Sequence, residues 1–404
     1  MGSRMGFHTS IFREFLINST ELVIAMEESR KSLRAFYFLS VFTVLVNSNL
    51  YDPHVYPRRG PFFEGWYIRI TDEANSRSVA VLFGLVLPGS TSNGKPAMIS
   101  FLKTEKDGFL QQYNAFPPAD SIDVTVRNGQ PVTEDPNIGS PDADFTWGSN
   151  EYGFIHVSNE KTVFNFTVGN VNFRATIGSP VPWAEKGYGP QSWLTYLPLP
   201  LNWYVYSLRS PVISYVMTES NGDEVREYRG KGVAHMEKNW GKSFPRAWFW
   251  IEGVREKDGV GFAGSGGPVD FGPIPVRGHL IGYRNPVKDI ELDFRPDNSV
   301  MNLDRDGCAG NLNITVWSPL HKLQISIAGP LPTFSDCLYG PEANGFTRAC
   351  VESFNSIATI TAYSRRLLGY TKIDEQVIPQ SALEFGGFYV CNSRCSVNDG
   401  TEVK

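Results

Sequence analysis

The stretch from Gly232 to Gly253, GVAHMEKNWGKSFPRAWFWIEG, constrains this chain more than any other. It combines His235, Glu237, Lys238, Asn239, Lys242, Arg246 and Glu252 with Trp240, Trp248 and Trp250. Surface loops seldom hold so many aromatics, and plain core strands seldom hold so many charges. Such a mixture suits the wall of an apolar pocket carrying a few placed polar groups. Strand alternation puts His235 and Glu237 on one face and Met236 and Lys238 on the other. Arg246, Trp248, Trp250 and Glu252 likewise oppose Ala247, Phe249 and Ile251. Asn239 to Pro245 reads as a turn, so the stretch is expected to be strand, turn and strand. The plainer alternative is a hairpin with a charged rim and a Trp-rich core.

The rest of the chain reads as mainly β. Aromatics make up 13% of the residues, and 38 Gly and 27 Pro recur between short apolar runs, which is the pattern of strands separated by turns. Examples are Phe62 to Ile70, Ser78 to Leu87, Thr162 to Val168 and Val171 to Ile177. Val212 to Thr218 and Val225 to Tyr228 are expected to pair through a turn at Asn221-Gly222. The glycine cluster at 264 to 268, GSGGP, lacks the Lys-Ser/Thr and following helix of a phosphate loop and reads as a turn. Ser364 to Gln380 reads as a short helix or a long loop. Phe62-Phe63-Glu64-Gly65-Trp66-Tyr67 is echoed by Phe244-Pro245-Arg246-Ala247-Trp248-Phe249, suggesting two related β halves. The organisation expected is a leader over 1–50, halves over 51–235 and 236–392, and a tail over 393–404.

Charge excludes one class of partner. Lys plus Arg is 37 against 42 for Asp plus Glu, so no basic excess exists to neutralise phosphates and nucleic-acid binding is not expected. Cys391 and Cys395 alone have zinc-ligand spacing, and no second pair completes a site, so no metal is expected. Cys337 with Cys350, or Cys391 with Cys395, would close short loops if the chain meets an oxidising compartment. The leader bears on that condition. Lys31 and Arg34 precede an apolar run over 35–46, which is signal-peptide geometry and is short for a membrane span. Entry into the secretory or endomembrane system is expected, with an organelle-targeting leader as the alternative. Asn18, Asn165 and Asn313 fit the glycosylation acceptor pattern.

FFEGWYIRI at 62–70 and HMEKNWGKSFPRAWFWIEG at 235–253 together resemble the tocopherol cyclase family. Weaker echoes are Cys337-Leu338-Tyr339-Gly340 and Ala382-Leu383-Glu384-Phe385-Gly386-Gly387. The resemblance implies a lipocalin-like, calycin-type antiparallel β-barrel architecture. It also implies conversion of prenylated benzoquinols to chromanols with no redox cofactor and no metal. The family works at plastid membranes, so membrane-surface association is a further expectation.

That chemistry delivers a proton to an alkene and lets a phenol oxygen close on the tertiary cation. It needs a carboxyl group kept protonated by burial. Glu237 is the first candidate acid and Glu64 the second. His235 would accept the phenol proton or orient the acid. Trp66, Trp240, Trp248 and Trp250 would stabilise the cation through their faces. Tyr67, Lys238, Asn239 and Arg246 complete the candidate substrate-binding set. In the competing reading, Glu237, Lys238 and Arg246 form an ion-pair network fixing the hairpin, and Glu64 bonds backbone at a strand start. A cyclase, a carrier of an apolar ligand and a hydratase all remain compatible with this set.

Overall fold

The computed structural model describes residues 49–54, 60–88, 94–126, 130–131, 142–184, 188–197, 199–271, 274–367, 369–391 and 395. The leader up to residue 48, with its apolar run over 35–46 and Asn18, and, apart from Cys395, the tail over 393–404 lie outside them. Among the described residues no helix is long and apolar enough to cross a membrane.

Alternation builds the strands. In Thr162–Val168, residues 162, 164, 166 and 168 are buried while Asn165 and Thr167 are exposed. Phe164 and Phe166 each contribute about 1.5–3 kcal/mol by leaving water. The first half contains β1 (Phe62–Asp72), β2 (Arg77–Leu87), β3 (Ala97–Thr104) and β4 (Leu110–Ala115). It continues with β5 (Asp123–Val126), β6 (Gln130–Pro131), β7 (Asp144–Ser149) and β8 (Gly153–Ser158). Then come β9 (Thr162–Val168), β10 (Val171–Ile177), β11 (Leu201–Asn221) and β12 (Glu224–Gly241). Their order in one antiparallel sheet is β4-β3-β2-β1-β12-β11-β10-β9-β8-β7-β5-β6.

The second half contains β13 (Ala247–Val254), β14 (Gly261–Phe271), β15 (Ile274–Asn285), β16 (Ile290–Phe294) and β17 (Val300–Asp306). It ends with β18 (Asn311–Trp317), β19 (His321–Ala328), β20 (Leu338–Glu342), β21 (Gly345–Arg366) and β22 (Gly369–Gly387). Its sheet order is β16-β15-β14-β13-β22-β21-β19-β18-β17, with β20 on β21. The two orders correspond: a meander leads out from β1 or β13, and the same strand pairs with the last strand of its half. The protein is mainly β, with two large curled antiparallel sheets in a two-half lipocalin-like arrangement.

Each sheet has a core of its own. Trp66, Phe83, Trp147 and Phe166 fill the first, and Tyr51 is fully buried there, stacked on Tyr206 with ring centroids 4.2 Å apart. Phe249, Ile251, Phe262 and Ile325 belong to the second. A third apolar cluster joins Tyr67, Trp203 and Val205 of the first sheet to Trp248, Trp250 and Phe354 of the second. The central strands are therefore covered on both faces, which explains why β1 and β13 are buried almost throughout.

Several expectations are corrected. The stretch 232–253 is not a hairpin. β12 pairs with β1 and β11, whereas β13 pairs with β14 and β22, so residues 242–246 carry the chain from one sheet to the other. The boundary expected at 235/236 falls inside β12. GSGGP lies within β14, not in a turn. A Cβ at Gly267 would stand 2.2 Å from the Ala247 carbonyl oxygen, so close strand approach explains glycine there. Ser364 to Gln380 belongs to the long β21–β22 hairpin. The disulfides are Cys308–Cys391 and Cys337–Cys395, and Cys350 is a buried free thiol. These pairings join residues brought together by the sheet, not the sequence neighbours.

Candidate functional site

Register divides the predicted site residues between two faces. Across β1 and β12, Gly65 is opposite Asn239, Tyr67 opposite Glu237 and Arg69 opposite His235. These six share the face turned to the second sheet. Glu64 opposite Trp240, and Trp66 opposite Lys238, share the inward face. On β13, Trp248, Trp250 and Glu252 face the first sheet, with Gly386, Glu384 and Ala382 of β22 opposite them.

A cavity of about 380 Å³ occupies the junction. Glu237, Asn239, Tyr67, Trp248, Trp250 and part of Trp66 line it, so the structure gathers these predicted residues in one wall system. Phe63, Leu82, Met98 and Trp203 add apolar surface. The volume is that of a small-molecule pocket. It lies between the sheets, not inside a barrel, because aromatic side chains fill the interior of the first half.

Glu237 is 3% exposed and held by donors from both halves. Trp250 Nε1 donates to its Oε2 at 3.1 Å, and Asn239 Nδ2 to its Oε1 at 3.4 Å. His235 Nε2 lies 2.9 Å from the same Oε2. The imidazole is buried behind Glu237 and does not line the cavity, so it fixes the carboxyl group from the rear.

Glu64, Lys238, Trp240 and Arg246 are corrected. Lys238 Nζ pairs with Glu64 Oε2 at 2.8 Å and donates to the Asp52 carbonyl oxygen. It also lies 4.8 Å from the Trp66 ring and 5.3 Å from that of Trp240. Glu64 further accepts the His54 backbone N–H at 2.7 Å. This cluster faces the first half's core and away from the cavity. The Glu237–Lys238 pairing of the competing reading fails because adjacent strand residues point to opposite faces. Arg246 is exposed and precedes β13.

Sequence reasoning gave no site role to Glu384, Glu352 or Cys350. Glu384 lines the cavity and accepts a hydrogen bond from Trp248 Nε1. Burial pushes its carboxyl up to about 7; the hydrogen bonds from Trp248 and Cys350 oppose that rise, and Glu237 nearby adds to it. Glu352, on β21, stands opposite Glu384 and is 1% exposed. Burial, reinforced by the Glu384 charge, holds it well above the usual carboxylate range. Tyr67 Oη donates to Glu352 Oε1 at 3.0 Å. The Cys350 thiol is likewise raised by burial, which keeps it protonated. The available signal was alternation: Glu384 interrupts the apolar run Ala382–Phe385 on the face shared with Ala382 and Gly386.

Beyond this wall, Arg69 of β1 is ion-paired with Glu252 of β13 and donates to Ser78 Oγ at 3.1 Å. The buried pair ties the sheets together where the apolar cluster ends. Among the described residues, neither Glu237 nor Glu384 is paired with a Lys or Arg. The site therefore offers two carboxyl groups, indole faces and neutral donors.

No curated protein matches the chain. Among solved structures, the NE1406 protein of Nitrosomonas europaea, assigned as AttH, is 14% identical with a TM-score of 0.47 over 85% of this chain and 98% of its own. Kievitone hydratase of Nectria haematococca is 11% identical with a TM-score of 0.40, over 82% of this chain and 90% of its own. The tocopherol cyclase-like family model matches residues 60–387, most of the chain, and the protein belongs to that family, whose membership supports a catalytic, cyclase-like role.

Proposed function

We propose that this protein closes a ring on a prenylated aromatic substrate by protonating its alkene, with Glu384 as the acid. One observation carries the reading: a cavity carboxyl group without a cationic partner among the described residues is held at about 7 by burial among apolar walls. A group so placed is protonated in a large fraction of molecules at neutral pH.

In the proposed step, the Glu384 O–H bond breaks and its proton adds to the less substituted alkene carbon. The more substituted carbon becomes a tertiary cation beside Trp248 and Trp250. Each indole face stabilises it by about 0.5–2 kcal/mol. A phenol oxygen lone pair forms the new C–O bond, and the phenol proton passes to the Glu237 carboxylate. Atoms and charge balance, and product and substrate are isomers. Asn239 and Trp250 hold Glu237 where it meets that hydroxyl.

Exposed Trp193 and Leu197 adjoin Leu194 and Leu199 of the cavity wall, which supports substrate entry from a membrane surface. Two disulfides support passage through an oxidising compartment.

The test is anaerobic incubation with a prenylated benzoquinol, followed by mass-resolved chromatography. An isomeric product that boiled protein does not make, and that Glu384→Gln loses, is expected. Ligand retained through desalting without conversion would instead assign the cavity to a carrier.

A further inference from the structure

Glu352 takes no part in the reaction above, and its surroundings are unusual for a structural side chain. It is 1% exposed, yet its Oε2 has no hydrogen-bond partner among the described residues. Buried polar atoms are nearly always bonded, so an orphaned one calls for a reason. Its other oxygen accepts the Tyr67 hydroxyl at 3.0 Å. Tyr67 comes from the first sheet, where it stands directly opposite Glu237. Glu352 itself stands directly opposite Glu384 on the same face of the second sheet. Directly opposed residues have Cβ atoms about 4.5–5.5 Å apart, within reach of two carboxyl groups. Tyr67 and Glu352 thus form a hydrogen-bonded pair whose members stand across from the two carboxyl groups that line the cavity.

We propose that Tyr67 and Glu352 form an internal proton return path from Glu237 to Glu384. The inference rests on the ring-closure reading. After ring closure Glu237 holds the phenol proton and Glu384 is a carboxylate. Glu352 gives its Oε2 proton to Glu384. The Tyr67 O–H bond breaks toward Glu352 Oε1, and Glu237 restores the tyrosine proton. Tyr67 ends as it began, Glu352 is left with its proton on Oε1, and rotation of its carboxyl group returns the O–H to the Oε2 position; no electron changes owner, and both cavity carboxyl groups are reset for the next turnover.

The groups facing Glu352 suit this. From the first sheet these are Tyr67, Arg69 and Glu237; from the second, Glu384. Arg69 favours the charged form of Glu352, but it is already committed to Glu252, and burial outweighs it, so Glu352 rests protonated. Burial likewise keeps Tyr67 protonated. Both members of the path therefore start with a proton to give.

Rapid-quench kinetics test the path with Glu352→Gln, which keeps shape but breaks the chain of exchangeable protons, and with Tyr67→Phe. Wild-type protein is run first. Its failure to form any isomer would overturn the ring-closure reading, and the path with it. Where wild type turns over, Glu352→Gln is expected to form one product per protein at the wild-type rate. It would then slow in steady state by roughly a hundredfold, the scale of a lost proton-transfer partner. Tyr67→Phe should also slow the steady state, with a lower ratio of steady rate to burst rate than wild type. A merely structural role would lower the burst amplitude and the steady rate together. That outcome, or an unchanged steady rate in Glu352→Gln, would overturn the return path while leaving ring closure in place.

Discussion

Replacing Glu384 with Gln should stabilise the folded protein in a pH-dependent way while removing its activity. Held at about 7 against the ordinary 4.5, the carboxyl disfavours its charged form in the fold by about 3 kcal/mol. Below pH 4.5 it is protonated in both folded and unfolded chains and contributes no difference. Between 4.5 and 7 the unfolded chain releases the proton and the folded one keeps it, so stability falls as pH rises. Above 7 the folded protein carries the buried charge and the full penalty applies. Gln keeps the oxygen that accepts from Trp248 but never ionises. The variant should therefore match wild type near pH 4.5 and exceed it by about 2–3 kcal/mol at pH 8, the lower figure allowing for solvent at the cavity. Urea melts of both proteins across pH 4.5–8.5 measure the difference. In wild type, kcat/KM should also fall about tenfold for each pH unit above 7. Parallel stability curves for the two proteins would mean that Glu384 is already ionised near pH 5 in the fold, and its role as acid would fail.

Trp248→Phe removes the N–H that favours the charged form of Glu384. The alkaline limb of the pH–rate profile should move up by about one pH unit, the scale of one charge-assisted hydrogen bond. Lys238→Met breaks the buried pair with Glu64 and should cost about 3–5 kcal/mol in urea melts. Because that pair faces away from the cavity, the folded fraction should keep its turnover number; a folded but inactive variant would return Glu64 to the mechanism. Loss of Cys308–Cys391, whose cysteines are 83 residues apart, should lower stability by about 4.5 kcal/mol, read as a drop in melting temperature of the Cys308→Ser/Cys391→Ser variant.

Local periodicity made much of the site legible. Alternation placed His235 with Glu237 and Lys238 on the opposite face before any partner strand was known, and the Asn221-Gly222 turn joins β11 to β12 as expected. Which strands become neighbours is a long-range choice, and there the reading failed. Nothing local in KSFPR distinguishes a hairpin turn from a passage between sheets. The glycines at 264–267 resembled a turn because close approach by a neighbouring strand leaves the same signature as a bend. Cys308 and Cys391 are 83 residues apart and are neighbours only through the tertiary fold of the second half. Glu384 was missed for the same reason: its chemistry comes from Trp248, Cys350 and Glu237 on three other strands.

The passage between sheets also gives β13 its part in the site. Trp248 and Trp250 project from the same face two residues apart. One donates its N–H to Glu384 of its own sheet, the other to Glu237 of the opposite sheet. A single strand thus sets both carboxyl groups, and residues 242–246 carry the chain to it directly from the strand bearing Glu237. Gly386 shows how tightly this is fitted: a Cβ there would stand 1.9 Å from the Trp248 ring. Neither half holds the arrangement alone. The first supplies Glu237 and Tyr67, the second Glu384, Glu352 and both indoles. The desolvation that raises the Glu384 carboxyl to about 7 comes from a cavity walled by both sheets. A half-molecule would leave that carboxyl in water with an ordinary acidity. In this protein the assembly of the two halves is therefore the step that would create the proposed acid.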